Sequence, residues 1–229
     1  MNERADGLLL GDEPTSDPAA DAAAIAARSA KLQPATPRAV GSALADRLAF
    51  ARGFVAHPGQ VASFVPSSRY LEQRLVRAAA IAQARTVVEL GPGTGGTMRA
   101  LLRAMAPDAR LLAIEVNAYF YRRLVQRTSD QRLALQFGSA EQLGEMLHAQ
   151  RLPAPDVVVS GIPFSTMPED VAQRIAASVA DCLAPGGRFI AYQLRGHVAR
   201  YVAPYLGTPQ VWWEMRNVPP MRVFRWVRR

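Results

Sequence analysis

The stretch from Thr86 to Gly96, T-V-V-E-L-G-P-G-T-G-G, constrains the fold more than any other part of the chain. An apolar β-branched run, Val87-Val88, ends in an acid, Glu89, and a loop with glycines at 91, 93, 95 and 96 follows. Thr97 to Met105 then reads as a helix. A buried strand that passes through a glycine turn into a helix is how an open α/β sheet offers the carboxyl end of a strand to a ligand. Glycine allows the sharp turn and lets the backbone approach a flat ligand with no Cβ in the way.

The downstream pattern agrees with a sheet of that kind. Leu111–Glu115, Leu133–Phe137, Asp156–Ser160 and Gly187–Leu194 read as strands. Asn117–Thr128 and Pro168–Leu183 read as helices between them. A further helix is expected from about 68 to 82, capped by Ser67 or Ser68, with Leu71, Leu75 and Ala78 or Ala79 facing inward. Val211–Asn217 and Met221–Val227, separated by a short turn, read as an antiparallel pair at the sheet edge. Alternating strands and helices predict a parallel sheet covered on both faces.

The form E-x-G-x-G-x-G points to S-adenosylmethionine (SAM) rather than to a dinucleotide. A dinucleotide site leaves the helix N-terminus clear for a pyrophosphate. SAM carries no phosphate, and Glu89 ahead of the glycines would repel one. The second strand also ends in an acid, Glu115, 20 residues after Gly95. An acid so placed can accept both hydroxyls of a ribose; the alternative is a solvated carboxylate at a strand end.

With 229 residues, 49% of them hydrophobic, the chain is large enough for one sizeable core plus an extension. The expected organisation is an acidic Ala/Pro-rich disordered tail over 1–38, N-terminal helices over 39–82, and a catalytic domain over 83–229. No apolar run approaches the ~18 residues of a membrane span, and the acid-flanked N-terminus does not read as a secretory signal. A single cysteine, Cys182, excludes an internal disulfide and reads as a small buried hydrophobe in a reducing compartment. No metal-ligand set is read. Residues 1–38 hold six acids against four bases, whereas the whole chain is +8, so residues 39–229 carry about +10, nearly all of it arginine. That charge suggests an anionic partner, either nucleic acid or a lipid surface, against the alternative of solvated arginines in an arginine-rich composition. In residues 41–56, Leu44, Leu48, Ala51 and Val55 form one helical stripe, with Phe54 at its edge and Arg47 and Arg52 flanking it. Such a helix either packs on the core or lies in a membrane interface.

The motifs E-L-G-P-G-T-G, I-E-V-N, G-S-A-E and L-A-P-G-G-R-F, in this order, resemble those of class I SAM-dependent methyltransferases over about residues 60–229. The resemblance implies an α/β, Rossmann-like, seven-stranded, mostly parallel sheet with helices on both faces and an antiparallel edge strand. It implies that Gly91, Gly93 and Gly95 cradle the methionine part of SAM, that Glu115 holds the ribose, and that Glu89 and Val116 also belong to the cofactor site. Ser139, Ala140 and Glu141 are expected against adenine, Ser139 standing where the family often has an acid. Ser160 is expected at the cofactor as well.

Two groups in the class fit best. After the fourth strand, rRNA adenine dimethylases carry an N-L-P-Y-like motif; this chain has Ser160-Gly161-Ile162-Pro163-Phe164. Ser160 is too short to reproduce the asparagine that orients an adenine amine. The segments P-G-Q-V-A-S-F-V-P-S-S-R-Y-L and N-V-P-P-M-R-V-F-R-W resemble bacterial phospholipid N-methyltransferases. With Arg229 as the last residue, the helical RNA-binding domain that follows the catalytic domain in the dimethylases is not expected. The leading expectation is methyl transfer to phosphatidylethanolamine toward phosphatidylcholine. The protein would then be cytoplasmic and peripheral on the inner face of the cell membrane, bound to anionic lipid through Leu44, Arg47, Leu48, Arg52, Phe54 and Val55. Ile162, Pro163, Phe164 and Arg195 would touch the acceptor, with Ser160, Gly161 and Tyr119 positioning the amine and Tyr192 a further candidate. Nucleic acid is not expected as the partner. An RNA adenine N6-methyltransferase is the alternative, and a SAM-binding scaffold without turnover a third. None of His57, His148 and His197 falls in a motif, and no general base is assigned.

Overall fold

The computed structural model describes residues 67–229. The expected tail over 1–38 and the helix carrying Leu44, Arg47, Leu48, Arg52, Phe54 and Val55 lie outside the described residues. Six α-helices, α1 (Arg69–Ala79), α2 (Gly96–Ala104), α3 (Ala118–Arg127), α4 (Leu143–Ala149), α5 (Glu169–Cys182) and α6 (His197–Leu206), interleave with seven strands. The strands are β1 (Thr86–Leu90), β2 (Arg110–Glu115), β3 (Leu133–Phe137), β4 (Val157–Ser160), β5 (Arg188–Gln193), β6 (Gln210–Glu214) and β7 (Met221–Val227). Their spatial order is β3-β2-β1-β4-β5-β7-β6. β1 to β5 run parallel; β7 is antiparallel to both β5 and β6. The late pair thus lies at the edge, with the antiparallel strand one position in and β6 outermost.

Strand alternation separates two cores. Val88, Leu112, Val158 and Phe189 point to the side covered by α4, α5 and α6. Val87, Leu111, Val157 and Ile190 point to the side covered by α1, α2 and α3. Because both faces are covered, β1 and β4 are buried at every position rather than at alternate ones. Each fully buried aliphatic side chain contributes ~1.5–3 kcal/mol, and an inner strand supplies them to both faces.

Local signals account for the helix ends. Ser68 Oγ accepts from Leu71 N at 3.3 Å, and α1 turns out at Ala80 in the left-handed region. Asn117 caps α3 by accepting from Tyr119 N and Phe120 N. Two helices, α4 and α6, are absent from the sequence reading. The seven residues of α4 carry a glycine, and α6 contains Pro204, so neither has the usual helical signature. Both form because their apolar residues, Leu143 and Leu147 in α4 and Val198, Tyr201 and Val202 in α6, find a face of the sheet to cover.

Candidate active site at the carboxyl edge of the sheet

The chain leaves β1 toward β2 on one side, and β4 lies on the other. At such a reversal the loops diverge and open a crevice. The glycine loop fills the floor of that crevice. Gly91, Gly93 and Gly95 all have positive φ, at 72°, 53° and 79°, which a side chain would strain. Glu115 anchors the loop: its Oε2 accepts from Gly93 N at 2.9 Å and its Oε1 from Asn117 N at 2.8 Å. Each oxygen keeps a lone pair for a second donor, so the carboxylate can serve loop and ligand together.

Two cavities meet over this loop. The larger, about 600 Å³, runs between β2, β3 and α5 and is lined by Glu115, Val116, Ser139, Ala140, Glu141 and Ile162, together with Phe120 and Ile175. The smaller, about 130 Å³, lies between α1, β5 and the β6–β7 connection and is lined by Thr97, Tyr192, Gln193, Arg195, Asn217 and Met221. Gly91, Gly93, Gly161, Pro163 and Thr166 line both. A donor in the large cavity and an acceptor in the small one would therefore face each other across Gly91 and Gly161.

Electrostatics distinguish the groups below the loop. Glu89 is fully buried, and neither carboxylate oxygen has a hydrogen-bond partner. Burial first, and then the nearby Glu115, pushes its carboxyl up to about 8. A buried acid without a partner is costly unless a donor reaches it; Glu89 itself lines neither cavity and lies on β1, two residues before Gly91 of the loop. Tyr192 is raised to about 12, mainly by burial and then by Glu89, and stays protonated. Its hydroxyl lies 3.3 Å from Thr97 Oγ1. At Gly161 a Cβ would come within 2.5 Å of that hydroxyl; only glycine lets β4 leave the sheet so close to β5.

Several expectations need correction. Ser160 is fully buried; its Oγ accepts from Ile162 N at 3.3 Å, and it lines neither cavity. It shapes the turn into Gly161 instead of touching a ligand. Phe164 is 1% exposed, packed in the core near Tyr201, so its ring is removed from any acceptor. Tyr119 faces outward with its hydroxyl held by Arg123; its neighbour Phe120 lines the cavity. Gly95 lines neither cavity, and its missing side chain makes room for Leu124 of α3. Ser139 and Glu141 do border the large cavity, but they bond to each other at 2.9 Å, and Arg174 holds Glu141. His148 and His197 line neither cavity. Gln193 escaped notice in the sequence because a glutamine ending a strand carries no motif. Its Nε2 donates to Ile162 O at 2.8 Å, and its Oε1 is buried without a partner.

Residues 87–187 match the methyltransferase domain family, and the sheet order and glycine loop give the chain the fold of class I SAM-dependent methyltransferases. Among solved structures, the NodS N-methyltransferase of Bradyrhizobium japonicum with S-adenosyl-L-homocysteine shares the fold. Its TM-score is 0.55 at 15% identity, over 70% of this chain and 88% of that one. Precorrin-6y C5,15-methyltransferase of Geobacter metallireducens reaches 0.57 at 13% identity, over 71% and 89%. Within the class the chain resembles the lipid N-methyltransferases. It is 29% identical over 177 residues to ornithine lipid N-methyltransferase of Singulisphaera acidiphila, spanning 76% of this chain and 92% of that protein. It is 37% identical over 95 residues to ribosomal RNA small subunit methyltransferase A of Caulobacter vibrioides, but that covers only 41% of this chain and 34% of the relative. Among the described residues no helix is long and apolar enough to cross a membrane.

Proposed function

We propose that this chain transfers methyl groups from SAM to the primary amine of a membrane aminolipid, with phosphatidylethanolamine as the acceptor. The observation that carries the reading is the extent of likeness. It runs along nearly the whole of an ornithine lipid N-methyltransferase and along a third of an rRNA methyltransferase. Both lipids present an amine a few bonds from an anion, and Arg195 lines the small cavity where that anion would sit.

Bound SAM would supply an electrophilic methyl on a sulfonium. The chain's residues do the rest by placement. Glu89 would hold the ammonium of the methionine end, satisfying its two free oxygens. Glu115 would hold the ribose while it fixes the loop, and Val116, Ala140 and Ile162 would flank the adenine. In the small cavity Gln193 Oε1 and Tyr192 Oη are the polar groups that would orient the acceptor nitrogen toward Gly91 and Gly161. The amine must be neutral to attack, and its proton leaves through the open cleft to water.

The experiment is transfer of labelled methyl from SAM to vesicles of phosphatidylethanolamine, to vesicles of ornithine lipid, or to deproteinised small-subunit rRNA. Label in phosphatidylethanolamine is expected. Label in ornithine lipid alone replaces the acceptor but keeps the chemistry; label in RNA alone overturns the reading.

A further inference from the structure

The connection between β6 and β7 is unusually apolar for an exposed turn. Its sequence, M-R-N-V-P-P over 215–220, contains no acid. Val218 is 82% exposed and Met215 67% exposed. The register places this turn beside the site: Glu214 pairs with Met221, and Arg222 with Gln193, the last residue of β5. The turn therefore projects past the carboxyl ends of the strands, where the cavities open. Asn217 and Pro219 line the small cavity, while Met215 and Val218 do not.

The turn is held in this position. Asn217 Oδ1 accepts from Ser68 N at 2.9 Å and its Nδ2 donates to Pro219 O at 2.8 Å, tying the turn to α1. Buried Glu214 is clamped by Arg74 and Arg216 at 2.8 and 3.0 Å. Single exposed apolar residues are ordinary; a fastened apolar tip at the mouth of a cavity, rimmed by one sign of charge, marks an interaction surface. Arg195 and Arg222 have no carboxylate partner among the described residues, and Arg222 stacks over the exposed Trp213 at 4.5 Å. An indole under a guanidinium, with aliphatic side chains beyond it, matches the layering of a bilayer interface.

We propose that the β6–β7 connection is a membrane-inserting rim. Met215 and Val218 enter the acyl boundary of an anionic bilayer, and Arg195 and Arg222 sit among its phosphates. The small cavity then opens onto the headgroups, and an aminolipid reaches it without leaving the membrane. The inference rests on the lipid-amine reading above, and it concerns residues other than those of the 41–56 stripe.

The test compares the full chain with Met215→Asp/Val218→Asp. Measurements are flotation with phosphatidylglycerol-containing vesicles, methyl transfer to phosphatidylethanolamine in those vesicles, transfer to the same lipid in detergent micelles, and affinity for S-adenosyl-L-homocysteine. At least a tenfold fall in vesicle binding and vesicle transfer is expected, with micellar transfer and nucleoside affinity within twofold of the parent. Unchanged vesicle binding and transfer overturns the rim. An equal fall in micelles also overturns it, since the turn would then only shape the cavity. A parent dimer that the variant dissociates assigns the surface to a second copy and overturns it too. If the aspartates impair nucleoside binding, Met215→Ser/Val218→Ser carries the same comparison. A parent that labels no lipid in either form defeats the functional reading itself.

Discussion

Glu89 offers the sharpest test of how the cofactor cavity works. Its carboxyl moves from 4.5 to about 8 because burial disfavours the charged form, equivalent to roughly 5 kcal/mol against ionisation. At pH 7 the proton would be held by most folded molecules. If Glu89 takes the ligand ammonium as proposed, that contact needs the carboxylate, and binding of SAM or S-adenosyl-L-homocysteine would expel the proton. Titration calorimetry in two buffers of different ionisation enthalpy should report proton release at pH 7 that falls off as pH rises through about 8. Affinity should rise by close to tenfold between pH 6 and 7 and by less above 8. Stability of the ligand-free protein runs the opposite way. Between 4.5 and about 8 the folded state holds a proton that the unfolded state has lost. Stability therefore declines as pH rises through that window, and saturating ligand flattens the trend, because the liganded folded state and the unfolded state then both hold a bare carboxylate. Glu89→Gln removes the titration: proton release should vanish, the slope of affinity with pH should flatten, and affinity at pH 8 should fall. Wild-type binding without proton release, and with pH-independent affinity from 6 to 8, would refute the assignment of Glu89 to the ammonium.

Glu115→Gln leaves one oxygen to serve both Gly93 and Asn117; affinity for S-adenosyl-L-homocysteine should weaken ~10–100-fold with the circular dichroism spectrum preserved, and an unchanged Kd would contradict the anchoring role. Gly161→Ala brings a methyl within 2.5 Å of the Tyr192 hydroxyl; a stability loss of ~1–3 kcal/mol should accompany a collapse of turnover, checked by thermal melting and methyl transfer. Glu214→Gln unclamps α1 from the β6–β7 connection, costing about 2 kcal/mol, or roughly 4–8 °C in Tm. The Arg216 guanidinium, with Arg74 beside it, holds the Glu214 carboxyl down at about 2. Its contribution is complete above 4.5 and lost as pH falls through about 2, so the Tm gap between wild type and Glu214→Gln should narrow between pH 5 and 2.

The parallel sheet was readable because its inner strands are short unbroken apolar runs, each delivered to a glycine, an acid or an asparagine. Gly91, Gly93, Glu115 and Ala140, all singled out by motif, border the cavities. Ser160, Phe164 and Tyr119 do not, because a residue's number fixes its place in the chain and not the direction of its side chain. Ser160 closes a turn, Phe164 falls on the core side of its loop, and α3 turns Tyr119 outward while bringing Phe120 in. Gln193 and the β6–β7 connection became visible at the site only when β7 paired with β5.

Local chemistry in the chain thus dictated the elements, the glycine loop and the acids that frame it, since these depend on contacts a few residues apart. The division into two cavities, the unpartnered state of Glu89 and the closeness of Tyr192 to Gly161 came from packing distant segments together. Burial and long-range proximity belong to the assembled fold, and no stretch of sequence carries them alone.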